Sequence, residues 1–362
     1  MSTQNKKETN YKKPVLKKYG NVKQFTRTSS HGGKADGGAF PGDKKMCISA
    51  ISPLEEHQVL LSDEFCQNAF SKMIELHVKK GDTVLDLGCG TGIHTLMALK
   101  NGAKKVFAIE MNPLIEVARE VIFDNGLGDK VQFIMGDSLE VEIPEKVDVI
   151  IANLGFLGSL ESLPDAYKRF LKPNGLMIPD STQMHFTPIE DDEFYRDMIQ
   201  FWHQPKLGFS FSAFHRLAAN HPFYFKLQDH EPTTEVAHLE AIDYKKPQNL
   251  YSWSHEFSFT NNTSINGYLG WYDFRLNGES FISTIPGSKL HPKLWSHIYL
   301  PLEKPLKICS EDKIKFNLSM SNELAPDGPV WRWQTLLNGE LLFDQSTFKA
   351  MPLSDNILRK LQ

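Results

Sequence analysis

The chain has 362 residues, 41% hydrophobic and 23% charged, a composition typical of a globular protein long enough for two domains. No apolar run approaches the ~18 residues of a membrane-spanning helix, so no membrane partner is expected. The net charge of -4 divides into +8 over residues 1–46 and −12 over the rest, and an acidic body argues against a nucleic-acid partner.

Cysteine usage indicates the compartment. The four cysteines lie far apart and form no CxxC pair; they are Cys47, Cys66, Cys89 and Cys309. This spacing predicts free thiols in a cytoplasmic protein and no metal centre. The N-terminus is basic and has no apolar segment of the kind found in a secretory signal.

Residues 1–46 are rich in Lys, Gly, Ser and Thr, which predicts a largely disordered basic tail. Within 11–26 the tail has the spacing Y-x-x-P-x-L-x-x-x-G-x-x-x-x-x-T. Its defining residues are Tyr11, Pro14, Leu16, Gly20 and Thr26. The spacing resembles the leader segment of lasso-type precursor peptides, which implies a leader-recognition protein as a partner. The alternative is a plain solvated tail.

The segment 47–182 alternates helices and strands. Apolar residues recur every four positions at Leu61, Phe65, Ala69 and Met73, which predicts one amphipathic helix. Short apolar strands then alternate with helices through "TVLDLG", "KVFAIE", "VQFIMGD" and "VDVIIANL". This order predicts a parallel sheet covered by helices on both faces. A loop carrying Glu161 is expected after the fourth strand, followed by a helix that ends at a turn over 172–175.

The segment 183–353 has a different character. Its strands alternate, are rich in aromatic residues and are separated by Gly, Pro and Asn, which predicts an antiparallel barrel or sandwich. The sequence "LNGE" at 337–340 predicts a hairpin. An aromatic insert at 208–226 predicts an arm at about 203–228, and residues 354–362 form a C-terminal tail.

A glycine-rich turn follows the first strand of the parallel sheet. Glycines let the backbone approach a ligand, and the helix that follows favours negative charge at its N-terminus. Acids stand at three successive strands, and such acids suit ribose hydroxyls and an adenine amino group. The predicted cofactor contacts are Asp86, Gly88, Cys89, Gly90, Gly92, Glu110, Met111, Asp137, Ser138 and Asn153. The alternative is a nicotinamide enzyme with a similar unit.

The run "VLDLGCGTG…VFAIE…GDS…VDVIIANLG" resembles class I S-adenosylmethionine-dependent methyltransferases. "NGLMIPD", followed by the antiparallel half and its insert, resembles the protein arginine methyltransferase family. The resemblance implies an α/β Rossmann-like methyltransferase domain followed by an antiparallel β-barrel domain with an inserted dimerisation arm. It also implies S-adenosyl-L-methionine as cofactor and a homodimer. "HQVLLSDEF" at 57–65 resembles the helix that closes over the cofactor.

The acceptor positions depart from this family. Two glutamates are expected after the fourth strand, where they hold a guanidinium group. Asn153 stands in place of the first, and Glu161 matches the second. The family's Thr-His-Trp barrel loop keeps only Trp295, and Cys66 stands at the family's arginine. The resemblance therefore implies catalytic roles for Glu161 and Asn153 and substrate contacts for Glu161 and Trp295. The alternatives are that Asn153 ends the strand, Glu161 caps a helix and Trp295 packs in the barrel.

These features predict a methyltransferase that acts on a peptide or small-molecule acceptor. Asn153 cannot supply the second charge that a guanidinium group would exploit, so ordinary arginine methylation is not the first expectation. One alternative is protein-arginine methylation with a single glutamate. The other is a cofactor-binding scaffold without chemistry.

Overall fold

The computed structural model describes residues 53–225, 235–288, 292–321 and 329–350. The tail with its leader-like spacing, Cys47 and the segment 354–362 lie outside the described residues. Within the described ranges, no helix is both long and apolar enough to cross a bilayer.

The first half is a parallel sheet flanked by helices. The helices are α1 (Pro53–Leu61), α2 (Glu64–His77), α3 (Ile93–Lys100), α4 (Ile115–Asp124) and α5 (Gly155–Phe170). The strands are β1 (Thr83–Leu87), β2 (Lys105–Glu110), β3 (Val131–Met135), β4 (Val147–Ala152) and β5 (Leu171–Ile178). All pairings are parallel, in the order β3-β2-β1-β4-β5. The strand order reverses beside β1 and β4, and ligands of such sheets bind at the carboxyl ends of the strands next to this point.

The predicted amphipathic helix consists of two helices. The helix is interrupted at Ser62, and the Asp63 carboxylate then accepts a hydrogen bond from the Cys66 backbone N–H at 3.1 Å. This N-cap starts α2 anew because it satisfies a backbone donor that has no partner within the helix. Phe70 and Ile74 on α2 are fully buried, so the most buried stripe lies one residue beyond the predicted one.

The boundaries after β4 differ from the prediction. α5 begins at Gly155, so Glu161 lies in the second turn of a helix and the predicted loop was wrong. The early start buries a stripe that includes Phe156, Leu160 and Leu163. The expected turn over 172–175 lies inside β5, where the β4 register shifts and Lys172 pairs with Asp148 at 2.7 Å.

The second half consists of antiparallel sheets. The helices are α6 (Asp192–Met198), α7 (Ala213–Ala219) and α8 (Thr347–Ala350). The strands are β6 (Ser181–Ile189), β7 (Phe223–Phe225), β8 (Ala237–His238), β9 (Ile242–Asp243), β10 (Leu250–Ser258), β11 (Thr263–Leu276), β12 (Glu279–Ser283), β13 (His297–Ile308), β14 (Lys313–Ser321), β15 (Val330–Leu337) and β16 (Glu340–Ser346). One sheet has the order β7-β13-β11-β6-β8, and the other has β10-β14-β15-β16.

Aromatic side chains join these two sheets into the predicted barrel. The rings of Tyr268 on β11 and Phe316 on β14 lie 4.2 Å apart, and the Tyr268 hydroxyl lies 2.9 Å from the Thr335 hydroxyl on β15. The hairpin predicted at "LNGE" joins β15 to β16 and is confirmed, with φ of 50° at Asn338 and 89° at Gly339. Both residues tolerate the left-handed backbone that such a turn needs.

The arm leaves the barrel after β6 and returns at β7. Its base is anchored by the Tyr195 hydroxyl, which donates to the carbonyls of Leu302 and Glu303 at 3.1 and 3.0 Å. Its tip, between α6 and α7, exposes the side chains of Leu207 and Phe209. The predicted insert at 208–226 thus exposes Phe209, whereas its residues Phe223–Phe225 form β7 of the barrel sheet.

Candidate active site

The glycine turn lies at the carboxyl end of β1 and is fastened to β2. The N–H groups of Gly88 and Cys89 both donate to the Ile109 carbonyl at 2.9 Å. Gly88, Gly90 and Gly92 have φ of 72°, 50° and 81°, a region that glycine enters without strain. The residues predicted from the glycine pattern therefore form one compact turn.

Two side chains lie against this turn. A Cβ atom on Gly90 would lie 2.9 Å from the His57 ring on α1, and a Cβ atom on Gly88 would lie 2.4 Å from Leu154. Only glycine at positions 88 and 90 leaves room for Leu154 and His57 to lie this close to the backbone. α1 therefore lies against the turn through His57, and closure of 57–65 over the cofactor stays a prediction.

Glu110 at the end of β2 shapes the turn. One carboxylate oxygen accepts from the Gly90 N–H at 3.0 Å, and the other accepts from the Asn112 N–H at 2.9 Å. Met111 follows it and is exposed. The acid predicted as a ribose ligand is therefore also a structural part of the glycine turn.

Asp86 lies buried beneath the turn. The Thr95 hydroxyl donates to Asp86 Oδ2 at 2.6 Å, while Asp86 Oδ1 is buried without a hydrogen-bond partner. Burial raises the pKa of Asp86 to about 7, and the nearby charge of Glu110 adds to this. Burial, and to a smaller extent the charges of Asp86 and Glu110, raises the pKa of the Cys89 thiol, which therefore stays protonated.

Asp137 and Ser138 lie one strand further along the same edge, after β3. Register pairs Glu110 with Met135, so the residues that follow β2 and β3 are neighbours. Asp137 Oδ1 accepts from the Leu139 N–H at 2.9 Å, which turns the chain sharply. The Ser138 hydroxyl lies 3.5 Å from that of Ser162 on α5, so the loop contacts this helix.

Asn153 follows β4 directly and lies beside the glycine turn, because Leu87 pairs with Ala152. Its Nδ2 donates to Cys66 Sγ at 3.8 Å, and its Oδ1 is buried without a hydrogen-bond partner. Burial and the charge of Asp63 raise the pKa of Cys66 to about 12, so this thiol is neutral. Cys66 and Asn153, two positions at which the sequence departs from the family's pattern, therefore contact each other.

Glu161 and Trp295 occupy different surroundings. Glu161 lies on the exposed side of α5, whereas Trp295 is only 7% exposed. The Trp295 ring packs edge-on against Phe274 at 4.6 Å and lies 6.0 Å from Tyr272. Tyr272 lies 5.2 Å from the ring of Phe156, which is three residues beyond Asn153. Trp295 thus belongs to an aromatic wall that reaches the first turn of α5.

Asp63, which was not among the predicted site residues, joins the two halves of the protein. Its carboxylate caps α2 and also accepts from the backbone N–H of Lys293, two residues before Trp295. Lys293 Nζ in turn donates to the Ser62 carbonyl. The sequence marks Asp63 as an N-cap, but no sequence signal reports a contact across 230 positions. Among the described residues, no cluster of three or more His, Cys, Asp or Glu side chains is placed to hold a metal ion.

Comparisons with known proteins agree with this geometry. Residues 64–180 match the ribosomal protein L11 methyltransferase family, and residues 180–326 match the arginine methyltransferase oligomerization subdomain. Protein arginine N-methyltransferase 1 of Chlamydomonas reinhardtii is 28% identical over 274 residues, covering 72% of this chain and 79% of the relative. Protein arginine N-methyltransferase 1.1 of Arabidopsis thaliana is 29% identical over 302 residues, covering 78% and 76%. The chain is an S-adenosylmethionine-dependent methyltransferase.

Solved structures show that the methyltransferase has the arginine methyltransferase fold. The Trypanosoma brucei PRMT1 enzyme-prozyme heterotetrameric complex with AdoHcy matches with a TM-score of 0.70 and 24% identity, covering 80% of this chain and 96% of that one. Arabidopsis thaliana protein arginine methyltransferase 10 matches with a TM-score of 0.66 and 21% identity, covering 81% and 97%. The predicted parallel sheet and antiparallel β-barrel domain are confirmed.

The residues at the carboxyl edge fit S-adenosylmethionine. The glycine turn brings bare backbone to the edge, Glu110 presents a carboxylate, and the buried Asp86 Oδ1 leaves an acceptor without a donor. Such a set suits a ligand with hydroxyl and amino donors. The cofactor supplies an electrophilic methyl group on a sulfonium centre, and the protein must position the group that receives it.

Proposed function

We propose that the methyltransferase transfers a methyl group to a neutral nitrogen or oxygen of a peptide or small natural product. Glu110 holds the ribose hydroxyls of the cofactor, and Asp137 accepts from the adenine amino group. Asn153 and Glu161 position the acceptor, and Trp295 forms part of the wall on its far side.

The observation that carries this proposal is the orientation of Asn153. Its Nδ2 is directed to Cys66, so the buried Oδ1 without a partner is what the side chain offers at the sheet edge. A buried acceptor without a donor costs about 1–3 kcal/mol, which an N–H or O–H of the acceptor recovers on binding. A guanidinium group has five donors and one charge, and this neutral oxygen serves it poorly compared with a carboxylate.

Positioning supplies much of the rate in such a transfer. The acceptor lone pair has to lie in line with the methyl–sulfur bond, and an oriented amide oxygen fixes the donor side of the acceptor group. Glu161, on α5, takes the proton that the acceptor nitrogen or oxygen loses. The aromatic wall of Phe156, Tyr272 and Trp295 excludes water from this side.

A second candidate is protein-arginine methylation with Glu161 as the single acid. The retained Glu161 and the names of the curated relatives, protein arginine N-methyltransferases, favour it. The basic tail offers a direct comparison between the two candidates, because it contains many possible acceptors but one arginine, Arg27.

The test incubates the purified full-length protein with S-adenosylmethionine and maps any added methyl group by peptide mass spectrometry. A methyl group on a residue of 1–46 other than Arg27 supports the first candidate, and one on Arg27 supports the second. A variant lacking residues 1–46, mixed with a peptide of that sequence, separates modification within one molecule from modification between molecules.

Asn153→Glu provides the matched variant. It restores a second acid beside Glu161, so methylation of an arginine peptide is expected to rise about tenfold, the value of one charge-assisted hydrogen bond. Asn153→Ala removes the amide without adding a charge and serves as control, with S-adenosylhomocysteine binding measured in both variants. Binding of S-adenosylmethionine without turnover on any acceptor, in both the wild type and Asn153→Glu, would contradict both candidates and favour a scaffold.

The tail also offers a segment that could bind a partner protein. We propose that the leader-like spacing over 11–26 binds a leader-recognition protein through strand addition to its sheet. The comparison of full-length protein with the variant lacking residues 1–46 tests this in the same preparation. Partner capture that does not depend on the tail would contradict it.

We further propose that the arm makes the protein a homodimer. Leu207 and Phe209 at its tip are 97% and 69% exposed, Phe211 and Phe214 nearby are also exposed, and such a group of exposed apolar side chains marks an interaction surface. Leu207→Asp/Phe209→Asp is expected to give a monomer at micromolar concentration, measured by light scattering after size exclusion. Leu250→Asp, at a barrel site that is 56% exposed, is the matched control and should stay dimeric. A monomeric wild type would contradict the proposal.

A further inference from the structure

Arg169 lies near the C-terminus of α5 and reaches across to the loop that follows β3. One guanidinium nitrogen donates to the carbonyls of Ser138 and Leu139 at 2.9 and 3.2 Å, and the other donates to the Val141 carbonyl. A single side chain thus collects three carbonyl groups from a loop of five residues, Asp137 to Val141.

The guanidinium group is itself held in place. Asp165, one turn earlier on α5, accepts from it at 2.8 Å, and a Glu142 oxygen lies 3.4 Å away. The group also lies 4.4 Å from the centre of the Phe170 ring. These contacts fix the orientation of the planar fork, which Lys cannot reproduce with its single ammonium group.

The loop that Arg169 holds carries two predicted cofactor contacts. The N–H groups of Glu140 and Val141 donate to the Asp137 carbonyl, both at 2.9 Å, and that of Leu139 donates to the Asp137 side chain. The N–H groups of the loop therefore fold it around Asp137, while the carbonyls of Ser138, Leu139 and Val141 accept hydrogen bonds from Arg169. Without Arg169 these carbonyls lose a charged donor and the turn loses its fixed position on α5.

We infer that Arg169 is a positioning residue for the nucleoside end of the cofactor. It holds the loop from Asp137 to Val141 against α5 so that Asp137 and Ser138 keep the orientation that adenine requires. The inference rests on the proposed role of Asp137. In addition to carrying Glu161, α5 would then support the loop that contacts the adenine.

Arg119 offers a matched control on α4. It pairs with Glu116 at 3.2 Å and lies 4.6 Å from the centre of the Phe133 ring, so it repeats the ion pair and ring contact of Arg169. None of the hydrogen bonds described for it reaches a loop carbonyl. A change seen in Arg169→Gln but not in Arg119→Gln therefore reports the carbonyl contacts.

The experiment measures two quantities in full-length wild type, Arg169→Gln, Arg169→Lys and Arg119→Gln. Hydrogen exchange of a peptide covering 136–143, without ligand, reports whether the loop is held. Calorimetric titration with S-adenosylhomocysteine and with adenosine measures the affinity of the cofactor site for each ligand. Arg169→Gln is expected to speed exchange in this peptide and to weaken both ligands about tenfold, while Arg169→Lys recovers only part of the loss.

The two measurements separate the possible failures. Faster exchange with unchanged affinity for both ligands would overturn the positioning role. Unchanged exchange in Arg169→Gln would overturn the claim that Arg169 holds the loop. A wild type that does not bind S-adenosylhomocysteine would instead contradict the proposed function, and the exchange data would still decide whether Arg169 holds the loop.

Discussion

Glu110→Ala is expected to weaken the binding of S-adenosylhomocysteine about 100-fold, because the proposed contact would lose two charge-assisted hydrogen bonds to ribose hydroxyls. The same change removes the acceptor of the Gly90 and Asn112 N–H groups, so the glycine turn loosens as well. Isothermal titration of the purified protein measures the affinity, and Glu116→Ala, an exposed acid on α4, is the control.

A ligand without ribose hydroxyls separates these two roles of Glu110. If the carboxylate acts on the hydroxyls as well as on the turn, Glu110→Ala weakens adenosine binding by a larger factor than 2′,3′-dideoxyadenosine binding. An equal loss for both nucleosides would contradict a direct contact and leave Glu110 as a support of the turn alone.

The second large effect concerns the dependence of stability on pH. The pKa of Asp86 lies at about 7, above its ordinary 3.8, so its protonated form stabilises the folded protein and this stability is lost as pH rises from about 4 to 7. Burial lowers the pKa of His94, on α3, from 6.5 to about 4. Its neutral form stabilises the folded protein above pH 6.5, and that stability is lost as pH falls toward 4. The two effects oppose each other over the same range.

Substituting one of the two residues leaves the pH dependence of stability that the other one causes. Asp86→Asn is expected to gain melting temperature relative to wild type as pH rises from 4 to 8, and His94→Leu to gain it as pH falls. Each difference is on the order of 2 kcal/mol, or about 5 °C for a chain of this size. Thermal unfolding without ligand gives the two difference curves, which should slope in opposite directions. Parallel curves would contradict the assignment.

Much of the cofactor side was predictable from the sequence. A glycine turn between a strand and a helix has a narrow range of backbone shapes, and parallel strands bring their following residues to one edge. Gly88, Glu110 and Asn153 therefore meet as expected. The cofactor prediction is confirmed at the level of the class of enzyme, and the individual contacts stay predictions.

The acceptor side was less predictable, for physical reasons. The segment between β4 and the predicted helix was read as a loop, yet burial of Phe156 extends the helix back to Gly155, so that Glu161 lies in its second turn. Pro173 and Gly175 read as a turn, yet they lie in an edge strand where a bulge accommodates them. Arg169 was missed because its partners are backbone carbonyls, which carry no sequence signature.

The contact between Asp63 and the Lys293 backbone has a consequence for turnover. Asp63 stands at the junction of α1 and α2, so the helix that lies over Gly90 is linked to the segment that holds Trp295. We therefore expect that a displacement of α1, such as exchange of the cofactor would require, also shifts the segment that carries Trp295.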